Sequence, residues 1–272
     1  MSDQHILLIH GTWCNGGNWG DFATELEDRR FTVHAPSLRH HGPPSESDVW
    51  ANAQQVAKVG LLDYVSDLAA LTRTLDGPPI IVGHSVGALL SQLLAARVPN
   101  KGQILLAPAP AWGMFNMFPS MFWLWGRYIP QWLAGRPMFP CSWSLWENFI
   151  CNALPRDLQE EYYATLCAES GTAYRQMAMW WMDPKRTARV DYRAITSPVL
   201  IVGGSEDKCT VPTTCRQTAR KYGARGTYVE LEGSDHMMTV GPYLPQTLAE
   251  IDRWLTHHDL APRPLAAAAA AA

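Results

Sequence analysis

The sequence predicts an α/β fold in which a mostly parallel β-sheet is flanked by helices. Short apolar runs of four or five residues recur along the chain, bounded by glycine, proline or polar residues, as is typical of buried strands. Between many of them apolar residues recur at helical spacing, and parallel strands need such crossovers. The predicted strands cover residues 6–9, 78–82, 103–106, 198–202 and 227–231.

One of these strands leads into Gly-His-Ser-Val-Gly at residues 83–87, and a segment rich in helix formers follows at 88–97. A serine at a sharp corner between strand and helix, with glycines two positions before and after it, is typical of a nucleophile elbow. Such a turn strains the serine backbone and packs strand against helix too closely for a Cβ atom. The pattern predicts Ser85 as a nucleophile.

An acidic residue and a histidine follow two later strands. Asp207 comes after the strand at 198–202, and His236 comes after the strand at 227–231. The carboxyl ends of parallel strands meet at one edge of a sheet, where α/β folds bind their ligands. Serine, acid and histidine in this chain order are therefore expected to converge as a catalytic triad.

Four segments carry a resemblance to a known family. They are HGTWCNGGNW at 10–19, the elbow at 83–87, EDK at 206–208 and GSDHMM at 233–238. With them the chain resembles the α/β-hydrolase superfamily over nearly its whole length. It is most similar to the branch of methylesterases and hydroxynitrile lyases and to their bacterial esterase relatives. The resemblance implies an α/β-hydrolase fold with a helical cap inserted after the sixth family strand.

The acid of the triad has two competitors. Glu206 is adjacent to Asp207, and Asp235 directly precedes the histidine. We favour Asp207 because the acid of the family that the chain resembles is followed by a basic residue and then by Thr/Val-Pro. The main alternative position for the acid follows the strand at 103–106, where Ala-Pro-Ala-Pro offers none.

The chemistry assigns a role to each member of the site. A serine hydroxyl is a poor nucleophile at neutral pH, so His236 would take its proton, and Asp207 would orient and stabilise the imidazolium. The backbone N–H groups of Val86 and Thr12 would form the oxyanion hole in this fold.

Other residues near these motifs are expected to support the site. Trp13 and His84 are predicted to shape it without transferring protons, and His10 to hold the oxyanion loop as a buried histidine. Five further histidines are expected to have no role in the site: His5, His40, His41, His257 and His258.

The predicted domains are a core at 1–110 and 191–260 and a helical cap at 111–190, which we call the insertion. The insertion has no Val/Ile-rich strand run and holds eight of the twelve tryptophans and seven of the ten methionines. That is more apolar surface than a small layer can bury in itself, which predicts a large apolar pocket. The predicted substrate-binding residues are Trp13, Trp112, Trp123, Trp125, Trp180, Trp181 and Met237.

These observations predict a serine hydrolase that cleaves an apolar carboxylic ester or lactone, aromatic or macrocyclic, through an acyl-enzyme. The same triad also serves C–C bond hydrolases, thioesterases and acyltransferases, which stay open. A hydroxynitrile lyase is disfavoured because Gly11 and Met237 stand where those enzymes have threonine and lysine. A different class of function is a hydrolase-like ligand receptor, which an intact triad disfavours.

Composition excludes several functions. A net charge of −3 gives no electrostatic reason to expect nucleic acid binding. No run of 18 or more apolar residues predicts a membrane span, and the first residues lack the pattern of a signal peptide. We therefore expect a cytoplasmic protein, a monomer or homodimer, without metal or cofactor. The six cysteines fit neither a disulfide framework nor a zinc pattern, so all are expected to be thiols. The alanine-rich end, 261–272, is expected to be a disordered tail or a cloning remnant.

Overall fold

The computed structural model describes residues 4–42, 49–115 and 118–262. Within them, six parallel strands form one sheet in the order β2-β1-β3-β4-β7-β8, and β5 and β6 form a separate antiparallel pair. The strands are β1 (Gln4–Ile9), β2 (Phe31–His34), β3 (Ile80–His84), β4 (Gly102–Leu106), β5 (Pro137–Met138), β6 (Glu169–Ser170), β7 (Val199–Gly204) and β8 (Gly226–Leu231). The predicted α/β fold with a parallel sheet is thereby confirmed.

Helices connect and cover these strands. They are α1 (Gly20–Asp28), α2 (Val49–Val56), α3 (Leu61–Thr72), α4 (Val86–Ala95), α5 (Pro119–Trp125), α6 (Ile129–Ala134), α7 (Trp143–Leu145), α8 (Arg156–Ala164), α9 (Gly171–Ala178), α10 (Pro212–Tyr222) and α11 (Leu244–His257). All five predicted strands form. The short edge strand β2 was not predicted, because three of its four residues are only half-buried and so leave no continuous apolar run.

The central strands are apolar throughout because helices bury both faces of the sheet. Along β1, Leu7 and Ile9 belong to the core on the α3 and α4 side, whereas Ile6 and Leu8 belong to the core on the α1 and α11 side. The alternation of a strand is therefore present, but both of its faces are dry.

The register brings the ends of the strands to a common edge. Ile9 pairs with Gly83, His84 pairs with Leu106, and Gly204 pairs with Leu231. The loops that follow β1, β3, β7 and β8 therefore emerge side by side. Each of them carries one of the predicted catalytic segments.

Two glycines let the elbow form. A Cβ atom on Gly83 would lie 2.2 Å from the Ser91 Oγ, and one on Gly87 would lie 2.1 Å from the Ile9 carbonyl oxygen. Backbone cannot yield as a flexible side chain can, so α4 can approach the end of β1 only with glycine at position 87.

The insertion contains α5 to α9 between β4 and β7. Prolines stand at the first turns of α5 and α6, where the missing N–H costs nothing. Besides its helices, the insertion contains one short strand pair, in which Pro137–Met138 and Glu169–Ser170 pair as β5 and β6. Two residues are too short to leave an apolar run in the sequence. The expectation for the tail falls largely on residues 263–272, which lie outside the described residues.

All six cysteines are buried and unpaired. In the described parts of the chain, no helix is long and apolar enough to cross a bilayer. Nor do three or more His, Cys, Asp or Glu side chains gather as a metal site within those ranges.

The close approach at Gly87 can be tested through stability. We expect Gly87→Ala to lower the free energy of unfolding by about 2–4 kcal/mol, because the added methyl meets the β1 backbone. Gly77→Ala is the matched control, since nothing lies within 4 Å of its Cβ position. Chemical denaturation of both variants measures the difference. Equal stabilities of the two variants would contradict the packing described at the elbow.

Candidate active site

Ser85 lies between β3 and α4 in a strained backbone conformation. Its φ and ψ are 55° and −120°, in a region that residues with a side chain rarely adopt. Hydrogen bonds hold it there: its N–H donates to the Leu106 carbonyl at 2.9 Å, and its carbonyl accepts from the N–H groups of Ala88 and Ala109, both at 3.0 Å. The side chain is thus presented at the edge of the sheet.

His236 and Asp207 form a buried pair at the same edge. The Nδ1 atom of His236 lies 2.8 Å from the Asp207 Oδ2 atom, and both side chains are almost completely buried. The other carboxylate oxygen, Oδ1, accepts from the backbone N–H groups of Cys209 and Thr210 at 2.8 and 2.7 Å. The carboxylate is therefore fixed by three hydrogen bonds, one of them to the imidazole.

The two alternative acids are placed differently. Asp235 turns its carboxylate toward backbone N–H groups, those of Ala153, Leu154 and Met237, at 2.8 to 3.2 Å. The side chain of Glu206 is exposed. Of the three candidates, Asp207 is the one whose carboxylate contacts the His236 ring.

The surroundings shift the pKa of His236 upward. Burial disfavours the imidazolium, but the charge and hydrogen bond of Asp207 outweigh burial and raise the pKa of His236 well above its ordinary value. This pairing adds folding stability below the unfolded pKa of about 6.5, and that stability is lost as the pH rises through the elevated pKa. Below the elevated pKa only a minor fraction of the imidazole is neutral and able to accept a proton.

His84, the residue before Ser85, contacts the histidine loop. Its Nε2 atom lies 2.8 Å from the carbonyl oxygen of His236, to which it can only donate. Burial, together with the nearby His236, lowers the pKa of His84 to about 3. His84 is therefore a neutral hydrogen-bond donor.

His10 holds the loop after β1. Its Nε2 accepts from the Leu38 N–H at 2.9 Å, which leaves Nδ1 as the donor to the Gly11 carbonyl, also at 2.9 Å. Burial lowers the pKa of His10 to about 3, so the ring stays neutral. The predicted structural role of His10 matches these contacts.

The loop after His10 is fastened to the insertion. Trp13 has a φ of 63°, unusual for a bulky residue, and its Nε1–H donates to the Met138 carbonyl at 3.1 Å. Its own carbonyl accepts from the Cys167 N–H at 2.7 Å. The hydroxyl of Thr12 hydrogen-bonds to that of Tyr174. These contacts bring the backbone of Thr12 to the cavity that contains Ser85.

Val86 is the first residue of α4. The first N–H groups of a helix have no partner within that helix and carry its positive dipole end. Of the two predicted oxyanion donors, Val86 therefore lies at a helix N-terminus next to Ser85, and Thr12 lies in the loop after β1, on the same cavity as Ser85.

A large cavity opens beside Ser85 and encloses about 800 Å³ together with its open mouth. Its described lining contains no charged side chain, and its polar groups are few. The lining residues are Ser85, Ala109, Pro110, Met121, Phe122, Trp125, Gly126, Ile129, Trp132, Tyr174, Met177, Ala178, Met179, Trp181 and Thr210. We call this space the main cavity.

A smaller cavity of about 320 Å³ lies on the histidine side of Ser85. Thr12 and His236 line it together with Trp13, Trp125 and Met237. Four predicted substrate-binding residues thus lie on one cavity or the other: Trp13 and Met237 on the smaller one, Trp181 on the main one, and Trp125 on both.

Three other predicted substrate-binding residues lie elsewhere. Trp123 is on the outer face of α5 and is 72% exposed, because residues two apart on a helix point in different directions. Trp112 and Trp180 pack edge to face against each other, and Arg186 lies 5.0 Å above the Trp112 ring. None of the three is on the described lining of either cavity.

Sequence reasoning missed several residues of the site. Tyr174, Trp132 and Met177 line the main cavity. His41, expected to be an ordinary histidine, is buried, and its Nε2 lies 3.2 Å from Glu169. No local pattern marked these residues; His41 and its partner Glu169 are 128 positions apart, and Tyr174 and its partner Thr12 are 162 positions apart.

Comparisons with known proteins identify the family of this chain. The model of a family described as "Alpha/beta hydrolase family" matches residues 6–251. A 2-(acetamidomethylene)succinate hydrolase from Mesorhizobium japonicum is 35% identical over 251 residues, which are 85% of this chain and 81% of that protein. A pyrethroid hydrolase from Sphingobium wenxiniae is 30% identical over 101 residues, which are 37% of this chain and only 34% of that protein.

Among solved structures, a methylesterase from Arabidopsis superposes with a TM-score of 0.68. The match covers 93% of this chain and 99% of that chain, at 15% identity. A likeness at this identity indicates a common fold.

The His236–Asp207 pair can be tested by NMR titration of the imidazole. We expect Asp207→Asn to lower the pKa of His236 to or below its ordinary value, because burial remains while the carboxylate charge is gone. Glu206→Gln, one position away with an exposed side chain, should leave that pKa unchanged. If Glu206→Gln lowered it and Asp207→Asn did not, Glu206 would be the partner of the histidine.

Proposed function

Because this chain belongs to the α/β-hydrolase family, we propose that it is a serine hydrolase that cleaves an apolar carboxylic ester or lactone. The observation that supports this most strongly is the placement of Ser85. It stands at a strained elbow, beside a buried histidine–carboxylate pair, and opens on an uncharged cavity.

In the proposed first step, the Ser85 Oγ attacks the acyl carbon while its proton passes to the Nε2 atom of His236. Asp207 holds Nδ1 protonated and stabilises the imidazolium. The negative charge on the former carbonyl oxygen is met by the N–H groups of Val86 and Thr12. The ester C–O bond then breaks, and His236 gives its proton to the departing alkoxide.

Hydrolysis of the acyl-enzyme repeats these steps with water. His236 takes a proton from the water as its oxygen attacks the acyl carbon, and then returns that proton to the Ser85 Oγ as the carboxylic acid leaves. Because the imidazole must start neutral, the rate should rise with pH through the elevated pKa of His236.

The cavity indicates the class of substrate. Aromatic and thioether side chains such as Trp125, Trp181 and Met177 offer a large, adaptable apolar surface. One relative is named for a substituted succinate, and a dicarboxylate would find no cationic side chain on the described lining here. The other relative is named for pyrethroids. We therefore propose a bulky, uncharged ester or lactone as the substrate.

The nucleophile is tested directly by Ser85→Ala. This variant should fold normally and lose hydrolysis of 2-naphthyl esters by at least about 10³-fold, because the hydroxyl that forms the proposed acyl-enzyme is gone. A fluorophosphonate should label Ser85, as peptide mapping would verify. Ser91→Ala, which removes a buried serine from the same helix, should keep its activity and its labelling.

Full activity in Ser85→Ala, or labelling at another residue, would overturn the proposal. A ligand receptor is distinguished in the same assay, since it would release no more than about one product per protein molecule. An enzyme cycles many times.

The role of the main cavity is tested with two exposed tryptophans of the insertion. Trp181 is 55% exposed and lines the cavity, whereas Trp123 is 72% exposed and does not. We expect Trp181→Ala to lower kcat/KM for a bulky aromatic ester by roughly 5- to 30-fold, about 1–2 kcal/mol of lost apolar contact, and to leave a small acetate ester nearly unaffected.

Trp123→Ala is the matched control and should change kcat/KM for neither substrate. The measured quantity is the ratio of kcat/KM for the bulky ester to that for the acetate ester. An equal ratio in Trp181→Ala, Trp123→Ala and the parent would mean that this wall of the cavity does not select substrates.

A further inference from the structure

One turn of the insertion contacts both loops that carry the histidine–carboxylate pair. The turn covers residues 151–154 and lies between a π-helical segment, Trp146–Ile150, and α8. The Asn152 Nδ2 donates to the Glu206 carbonyl at 3.0 Å, next to Asp207. The N–H groups of Ala153 and Leu154 donate to the Asp235 Oδ2 at 2.8 and 3.2 Å, next to His236.

The turn is itself held in shape. The Nε2 atom of Gln159, on α8, donates to the carbonyls of Cys151 and Leu154, at 2.8 Å each. The hydroxyl of Tyr243 donates to the Ala153 carbonyl at 2.9 Å. These three hydrogen bonds hold the turn in one conformation, so that it can support a group bound to it.

Asp235 joins this support to the histidine loop. Its Oδ2 accepts hydrogen bonds from the turn. Its Oδ1 accepts from the N–H of Met237, the residue after His236, at 2.9 Å. The side chain is fully buried. The carboxylate therefore bridges the insertion and the backbone on which the imidazole is mounted.

We propose that Asp235 is a positioning residue. Its carboxylate binds the turn at 151–154 to the histidine loop and so holds the His236 imidazole in place between Asp207 and Ser85. This inference rests on the proposed hydrolase function. It assigns to a residue of the core and a turn of the insertion a joint role in assembling the site.

The bridge is sensitive to mild acid. Burial raises the pKa of Asp235 to about 6, although the N–H groups of Ala153 and Met237 favour its charged form. Asp207 faces the carboxyl and raises its pKa further, whereas His236 opposes that shift; Cys151 and Tyr243 are the other titratable groups beside it. A protonated carboxyl turns an O–H toward backbone donors, so at least one hydrogen bond of the bridge is lost.

The sign of the linkage separates positioning from stability. A carboxyl whose pKa is raised on folding stabilises the fold fully below its unfolded pKa of about 4, and this contribution is lost as the pH rises through about 6. The ionised bridge is thus kept at a cost in stability. An asparagine side chain at this position would resemble the protonated carboxyl, so Asp235→Asn should change the melting temperature little at pH 8.

The test compares the pH dependence of kcat/KM for a 2-naphthyl ester in the parent and in Asp235→Asn. At pH 8 we expect the parent to be faster by roughly 10- to 100-fold, the usual consequence of a slightly misplaced catalytic group. Below pH 6 the ratio should fall toward one, because the parent loses its own carboxylate. A purely structural defect would give a ratio that does not vary with pH.

The parent profile gives an independent readout if Asp235→Asn fails to fold. Between pH 6 and the pKa of His236, the logarithm of kcat/KM should rise with a slope near one, and below pH 6 with a slope near two. Circular dichroism at pH 5 checks that the parent is still folded at that pH. Glu206→Gln, an acidic neighbour of the same turn, should keep the parent profile, whereas Asn152→Ala should lower kcat more than it changes KM.

Different results overturn the proposed function and the role of Asp235. Persistent activity in Ser85→Ala would overturn the proposed function, whatever Asp235 does. If Ser85→Ala is inactive, a ratio that is constant across pH together with a slope of one throughout would overturn the role of Asp235 alone.

Discussion

The close contact between α4 and the end of β1 is the constraint on which the site depends. Only a residue without a Cβ atom at position 87 lets the helix reach the Ile9 carbonyl, and only then does Ser85 turn out over the sheet edge. The same contact brings the N-terminus of α4 beside the loop at 10–14. Ser85 and the proposed oxyanion donors are therefore brought together by one packing contact, and both Ser85 and Trp13 have a positive φ.

Electrostatics then decides the state of the groups gathered there. The ionisable side chains buried at this edge include His84, Asp207, Asp235 and His236. Burial lowers the pKa of His84 to about 3 and keeps its ring neutral. Asp207 accepts hydrogen bonds from two backbone N–H groups and from the imidazole, and its charge raises the pKa of His236. Burial raises the pKa of Asp235 to about 6.

The insertion contributes more than an apolar wall. It provides the carbonyl of Met138 and the N–H of Cys167 to the Trp13 loop, the hydroxyl of Tyr174 to Thr12, and the turn at 151–154 to both acid-bearing loops. The core loops are irregular segments whose polar backbone groups need partners. The insertion provides partners for several polar groups of these loops, so the main cavity and the candidate catalytic loops share one set of contacts.

The sequence by itself determined the parallel sheet, the elbow with Ser85, and the order of serine, acid and histidine, and the predicted membership of the α/β-hydrolases is confirmed. These features are local, because a buried strand and a glycine-flanked corner leave their mark within ten residues. The tertiary structure decided which acid meets the imidazole, which tryptophans face the cavity, and that His41 is paired with Glu169. These features depend on contacts between residues 29 to 128 positions apart. At such separations, helix rotation and loop path, rather than residue type, determine which side chains come into contact.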